Sequence, residues 1–105
     1  MVNKDLREEE AIDLLINKYG LKKWDILVND DRYVYSLNMT AKKVTKIEEL
    51  ENFSQLQTLV LSDNQVKKIE GLEKLSKLQT LNLSNNQITK SEGLEALSQL
   101  QILDL

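Results

Sequence analysis

Carboxylates and amides are the side chains with which this chain could do chemistry: it holds 17 Asp and Glu residues and neither histidine nor cysteine. Without imidazole or thiol, the commonest general base, the soft metal ligands and the thiol nucleophile are all missing, so triad and zinc chemistries of those kinds are excluded. The densest acidic group, Glu8-Glu9-Glu10, falls where a helix should begin, and carboxylates there answer the positive end of the helix dipole. Asn29-Asp30-Asp31 lacks the alternating ligands and the closing Glu of a calcium loop and reads as a hairpin turn. With only three glycines there is no glycine-rich phosphate loop. The expectation is a non-enzymatic protein with no cofactor and no metal.

Two amides recur at a fixed distance, and they lead to the elements that hold them. Leu56-Gln57-Thr58-Leu59-Val60-Leu61-Ser62-Asp63-Asn64-Gln65-Val66 returns as Leu78-Gln79-Thr80-Leu81-Asn82-Leu83-Ser84-Asn85-Asn86-Gln87-Ile88, a period of 22. A period of this size marks a solenoid, in which each unit buries its apolar side against its neighbours. The same register reaches back to Val34, Leu37, Met39, Val44, Ile47, Leu50 and Phe53, and forward to Leu94, Leu97, Leu100, Leu103 and Leu105. Within a unit, Leu59 and Leu61 alternate with Thr58, Val60 and Ser62, the period-two pattern of a short strand with one buried face. Asn64 and Asn86 stand where the chain turns inward, and an amide there can satisfy backbone groups that would otherwise be buried unpaired. Ile69, Leu72 and Leu75, spaced by three, predict a 3₁₀ turn or a short α-helix.

These positions resemble the leucine-rich repeat, L-x-x-L-x-L-x-x-N-x-I/V-x-x-I-x-x-L-x-x-L-x-x, over residues 34–105. The 22-residue length is similar to that of the subclass named after a protein-phosphatase regulatory subunit. Lys42 replaces the Asn in the first unit and Ser91 the Ile in the third, so the first coil is expected to lean on an N-terminal cap for its turn. The resemblance implies an α/β right-handed solenoid with a parallel sheet on its concave face, and it places ligand contacts on that face.

Residues 1–33 do not follow the repeat and are expected to cap it. Asp5 and Glu8 read as a capping box, and Ile12, Leu15, Ile16 and Tyr19 continue a helix over about residues 6–19 until Gly20 stops it. Trp24-Asp25-Ile26-Leu27-Val28 and Arg32 to Met39 then read as a strand pair joined by a tight loop, with Trp24 inside the cap core. The charged N-terminus, the absence of cysteine and the absence of a long apolar run predict a cytoplasmic protein. A net charge of −3 gives no reason to expect nucleic acid or an anionic membrane as partner.

Register also sorts the surface. Lys46, Lys68 and Lys90 form one column, Glu48, Glu70 and Glu92 a second, and Glu51, Glu73 and Glu95 a third, a self-compensating charged ridge worth little as a docking strip. The strand face presents Ser36, Asn38 and Thr40, then Thr58, Val60 and Ser62, then Thr80, Asn82 and Ser84, and finally Ile102 and Asp104. It is small and polar and lacks the aromatic and Arg anchors that dominate most interfaces. The function expected from this arrangement, with the resemblance supplying the word interaction, is a protein-binding scaffold. The other readings are a self-assembling unit that dimerises through Leu94, Leu97, Leu100, Leu103 and Leu105, and a regulatory subunit docking on an enzyme such as a phosphatase. Leaving those leucines covered on one side only would cost about 4–7 kcal/mol, taking about half the worth of each buried side chain.

Overall fold

Repetition in sequence becomes register in space. The structure, a computed structural model, describes residues 8–89, 93–95 and 97–105. Helix α1 (Glu9–Tyr19) and a 3₁₀ turn (Lys23–Asp25) lead into β1 (Ile26–Val28), which is followed by β2 (Val34–Asn38), β3 (Thr58–Val60), β4 (Thr80–Asn82) and β5 (Ile102–Asp104). The sheet order is β1-β2-β3-β4-β5, with β1 antiparallel to β2 and the rest parallel. Leu37 pairs with Leu59, Leu59 with Leu81 and Leu81 with Leu103, so each strand meets its neighbour at the equivalent residue of the next unit. This is an α/β leucine-rich repeat solenoid.

The core is a stack of like side chains. Leu37, Leu59 and Leu81 are fully buried beneath the strands, and Leu50 and Leu72, Phe53 and Leu75, and Leu56 and Leu78 close the other side. Of the two forms the spacing allowed, the return arm takes the tighter 3₁₀-type turn and not the α-helix. Leu75 N–H donates to Leu72 O and Leu78 N–H to Leu75 O, both at 3.0 Å, and the same pairs of bonds recur at Leu50-Phe53-Leu56 and Leu94-Leu97-Leu100. These are single turns in series. A continuous helix advances only about 1.5–2 Å per residue, and linked turns cross the coil in fewer residues while keeping every third side chain inward.

The cap also departs from expectation in two places. Helix α1 buries Ile12 and Leu15 and ends at Gly20, which is left-handed at φ 69° and donates its N–H to Ile16 O at 2.9 Å. Asp5, one half of the expected capping box, lies outside the described residues. The other half, Glu8, reaches across to the sheet, where Oε1 accepts the N–H of Val34 at 2.7 Å. Trp24 is 70 % exposed, not part of the cap core. The cause is local: the Asp25 carboxylate accepts the N–H of Lys22 at 2.9 Å and Asp25 N–H donates to Lys22 O at 2.9 Å. That closed turn delays β1 to Ile26 and lifts Trp24 out of the strand's alternation. The hairpin that follows is held by Asn29, whose Oδ1 accepts from Asp31 N–H and Tyr33 N–H at 3.0 Å each.

Candidate functional site

The sheet register sets three rows side by side. Leu27, Ser36, Thr58, Thr80 and Ile102 are joined by successive pairing in one row, and Asn38, Val60, Asn82 and Asp104 in the next. Thr40, Ser62 and Ser84 follow at the same step in sequence, and Met39 N–H to Val60 O and Leu61 N–H to Asn82 O, at 2.7 and 2.8 Å, extend the ladder toward them. The side chains of Ser36, Thr40, Thr58, Val60, Ser62, Thr80, Asn82 and Ser84 are half-buried and those of Asn38 and Asp104 exposed. Strand spacing sets about 4.8 Å between like members of a row.

Hydrogen bonds fix the amides of this face. Asn38 Oδ1 accepts from Thr40 N–H at 3.1 Å and from Thr40 Oγ1 at 2.6 Å, and Asn82 Oδ1 accepts from Ser84 N–H at 3.0 Å and from Ser84 Oγ at 2.7 Å. A backbone N–H can only donate, so the oxygen of each amide must face its own turn. Both Nδ2 groups therefore face away from that turn and have no protein acceptor among the described residues. Thr40 Oγ1 also lies 3.2 Å from Ser62 Oγ, linking the first two coils. The face is thus a pre-ordered grid of hydroxyls and two amide donors.

Beneath one end of the face, the structural asparagines tie coil to coil. Asn64 Oδ1 accepts from Lys42 N–H at 3.0 Å and Val44 N–H at 2.9 Å, and its Nδ2 reaches Met39 O and Leu61 O at 2.9 Å and Ser62 O at 3.0 Å. Asn86 repeats this with Val66 N–H, Leu61 O and Leu83 O at 2.9 Å and Ser84 O at 3.2 Å. The first coil's turn, which lacks its own Asn at Lys42, is held by the coil after it rather than by the cap. Among the described residues the cap contributes a side-chain contact, with Lys42 Nζ 3.9 Å from Asp25 Oδ2.

The charged ridge is less regular than its sequence. Lys68 Nζ lies 3.9 Å from Glu70 Oε1, whereas Glu48 turns to the cap helix, where Lys18 Nζ contacts Glu48 Oε1 at 2.9 Å and Glu49 Oε1 at 3.3 Å. The Lys18 ammonium holds the Glu48 carboxyl below its ordinary range, and the hydrogen bond to Glu48 raises the Lys18 pKa in return. Glu73 Oε1 accepts the N–H of Gly71 at 2.9 Å and Glu95 Oε1 that of Gly93 at 3.4 Å, so these two serve their own turns. Lys90 and Glu92 lie outside the described residues. Among the described residues no group of His, Cys, Asp or Glu could hold a metal ion, and no helix is long and apolar enough to cross a membrane.

At the last coil the packing thins. Leu97 is 5 % exposed, Leu94 and Leu100 are half-buried and Leu105 is 51 % exposed, whereas Leu72 and Leu78 one coil earlier are fully buried. Sequence reasoning missed Leu27, which is 44 % exposed and extends the strand-face row onto the cap. Its alternation with the buried Ile26 was the available signal.

A parallel sheet whose strands recur every 22 residues, with an asparagine tie between coils, defines a repeat solenoid. The family model described as Leucine Rich repeats (2 copies) matches residues 54–96 and 76–105. The chain is a leucine-rich repeat protein. Among solved structures it is similar to an internalin C2 from Listeria monocytogenes, with 35 % identity and a TM-score of 0.64 over 68 % of this chain and 31 % of that one. An internalin, inlF, from the same organism aligns over 90 % of this chain and 27 % of its own, with 26 % identity and a TM-score of 0.62. The ectodomain of the receptor kinase SOBIR1 from Arabidopsis thaliana shares the fold, with a TM-score of 0.72 and 19 % identity over 99 % of this chain and 67 % of that one. The chain spans less than a third of either internalin's length. No curated protein is matched by the sequence.

Proposed function

We propose that this chain is a protein-binding scaffold that engages its partner through the strand face, with Asn38, Thr58, Val60, Ser62, Thr80, Asn82, Ser84, Ile102 and Asp104 as contacts. The observation that carries the reading is the nearly uncharged grid itself: hydroxyls and amide donors held in register, with Asp104 its one charged member. Its polar character suits a partner with backbone carbonyls to offer, since each donor left without an acceptor on binding would cost about 1–3 kcal/mol. Photo-crosslinking tests it. A photoreactive residue at Val60 should trap a discrete protein in the native host, and the same residue at exposed Glu51 on the opposite side should not. Equal trapping at both positions, or none at Val60, overturns the reading.

A second reading concerns the last coil. The exposure of Leu105 and partial exposure of Leu94 and Leu100 support association of two copies through Leu94, Leu97, Leu100, Leu103 and Leu105, and light scattering of Leu100→Lys against the parent chain tests it. The 22-residue period supports the narrower subclass and, with it, docking on a phosphatase, for which copurifying phosphatase activity is the test.

A further inference from the structure

The strand face lacks an aromatic anchor within its repeats, and the cap supplies one beside it. Trp24, the single tryptophan of the chain, is 70 % exposed, and Leu27, three residues on and in the same row as Ser36, is 44 % exposed. Exposed large apolar side chains three residues apart on one short segment are the kind of surface that calls for a partner. The charge around them is mainly positive. Lys22 and Lys23 immediately precede Trp24 and are exposed, and the antiparallel pairing of Ile26 with Leu37 brings the turn after β2, with Lys42 and exposed Lys43, to the same end of the sheet. Asp25 is the only carboxylate among them, and it is engaged by the N–H of Lys22 and the ammonium of Lys42. Lys22, Lys23 and Lys43 make no ion pair among the described residues. A corner with this surplus of ammonium groups, on a chain whose net charge is −3, is a local positive field.

We infer that this corner, Trp24 and Leu27 framed by Lys22, Lys23 and Lys43, docks an extended acidic segment of a partner protein that carries a bulky apolar residue. The apolar residue would cover Trp24 and Leu27, of the type that dominates interface energy once desolvated, and carboxylates on either side would lie over the lysines. From Leu27 the segment can continue along Ser36, Thr58 and Thr80, where hydroxyls meet its backbone. An anionic bilayer fits less well. Asp30 and Asp31, at the other end of β1, would be pressed against its headgroups, whereas a narrow segment passes clear of them.

The inference rests on the reading of the chain as a protein-binding scaffold, and its test uses the lone tryptophan as reporter. The probe is a nine-residue peptide of glutamates around a central Leu-Phe pair, titrated into the full chain while Trp24 emission is followed. A saturable blue shift is expected, weakened at least about tenfold by raising salt to several hundred millimolar and by Lys22→Glu with Lys23→Glu. Far-UV circular dichroism checks that the double variant remains folded. The inference is overturned by no shift at millimolar peptide, by an equal shift with the lysine-substituted peptide, or by a shift given by phosphatidylserine vesicles and not by the peptide. Crosslinking at Val60 reports on the scaffold reading whichever way the peptide behaves.

Discussion

Asn64 accepts the backbone N–H of Val44 at 2.9 Å, so a side chain in the second coil completes a turn in the first. With the N–H of Lys42 on the same oxygen and Met39 O on its amide, the one buried polar residue of the described chain holds three backbone groups of its neighbour.

Removing that side chain leaves those groups buried without partners. Asn64→Ala is expected to cost about 3 kcal/mol or more, at about 1–3 kcal/mol for each such group. Asn86→Ala, from a half-buried position bonded to fewer groups of its neighbouring coil, should cost less. Urea unfolding of both variants measures the difference, and equal small losses would contradict the inter-coil role.

Gly71 and Gly20 are both left-handed, at φ 76° and 69°, but differ in their surroundings. A Cβ on Gly71 would come within 2.6 Å of Ile47 O, while one on Gly20 would meet nothing within 4 Å. Gly20→Ala should therefore lose only about 1–2 kcal/mol, the cost of the backbone conformation, and Gly71→Ala distinctly more. Thermal melts that place the two together would show that the coils can slide apart to accept the methyl group.

Ala41, Asp63 and Asn85 are equivalent residues, all left-handed, at φ 55°, 59° and 56°. Asn85 Nδ2 donates to Asp63 Oδ1 at 2.8 Å, but Ala41 has no polar atom to offer. Ala41→Asn is expected to stabilise by about 0.5–1 kcal/mol, since Asn tolerates this conformation and can reach Asp63 from the other side. A lowered urea midpoint would refute it.

Burial raises the pKa of Glu8 above its ordinary 4.5, and the N–H of Val34 offsets this only in part. A carboxyl so shifted favours the fold while protonated. Its contribution is present below the ordinary value and is lost as pH rises through the raised one. Glu8→Gln keeps the acceptor for Val34 and removes the ionisation, so its Tm should exceed that of the parent chain at pH 7. The gap should close as pH falls below 4.5. A gap that widens on acidification would reverse the sign.

The repeat was the legible part, because one residue in 22 repeats the same burial problem and the strands answer it identically, as the pairing of Leu37, Leu59 and Leu81 demonstrates. The same register let the outward rows be written from the sequence. The cap resisted because nothing in it repeats. Ile26-Leu27-Val28 reads as strand, and Trp24 two residues earlier looked like its inward continuation until the Asp25 side chain closed a turn on Lys22. Glu8 likewise met Val34, 26 residues away, a partner no local spacing announces. Lys42 shows the same limit: its missing amide was plain in the sequence, but which neighbour would compensate depended on how Asn64 spans two coils.

That span imposes an order of assembly during synthesis. The turn at Lys42 and Val44 needs Asn64, and the turn at Val66 needs Asn86, so each coil is finished by an atom that leaves the ribosome about 20 residues later. At about 5–20 residues per second, the delay is about 1–4 s per coil. Through that interval the newest coil has its leucines in hand but its turn still open. The growing chain therefore always carries one incomplete coil at its leading end, and it is this coil, more than the folded stack behind it, that a chaperone or a protease would meet.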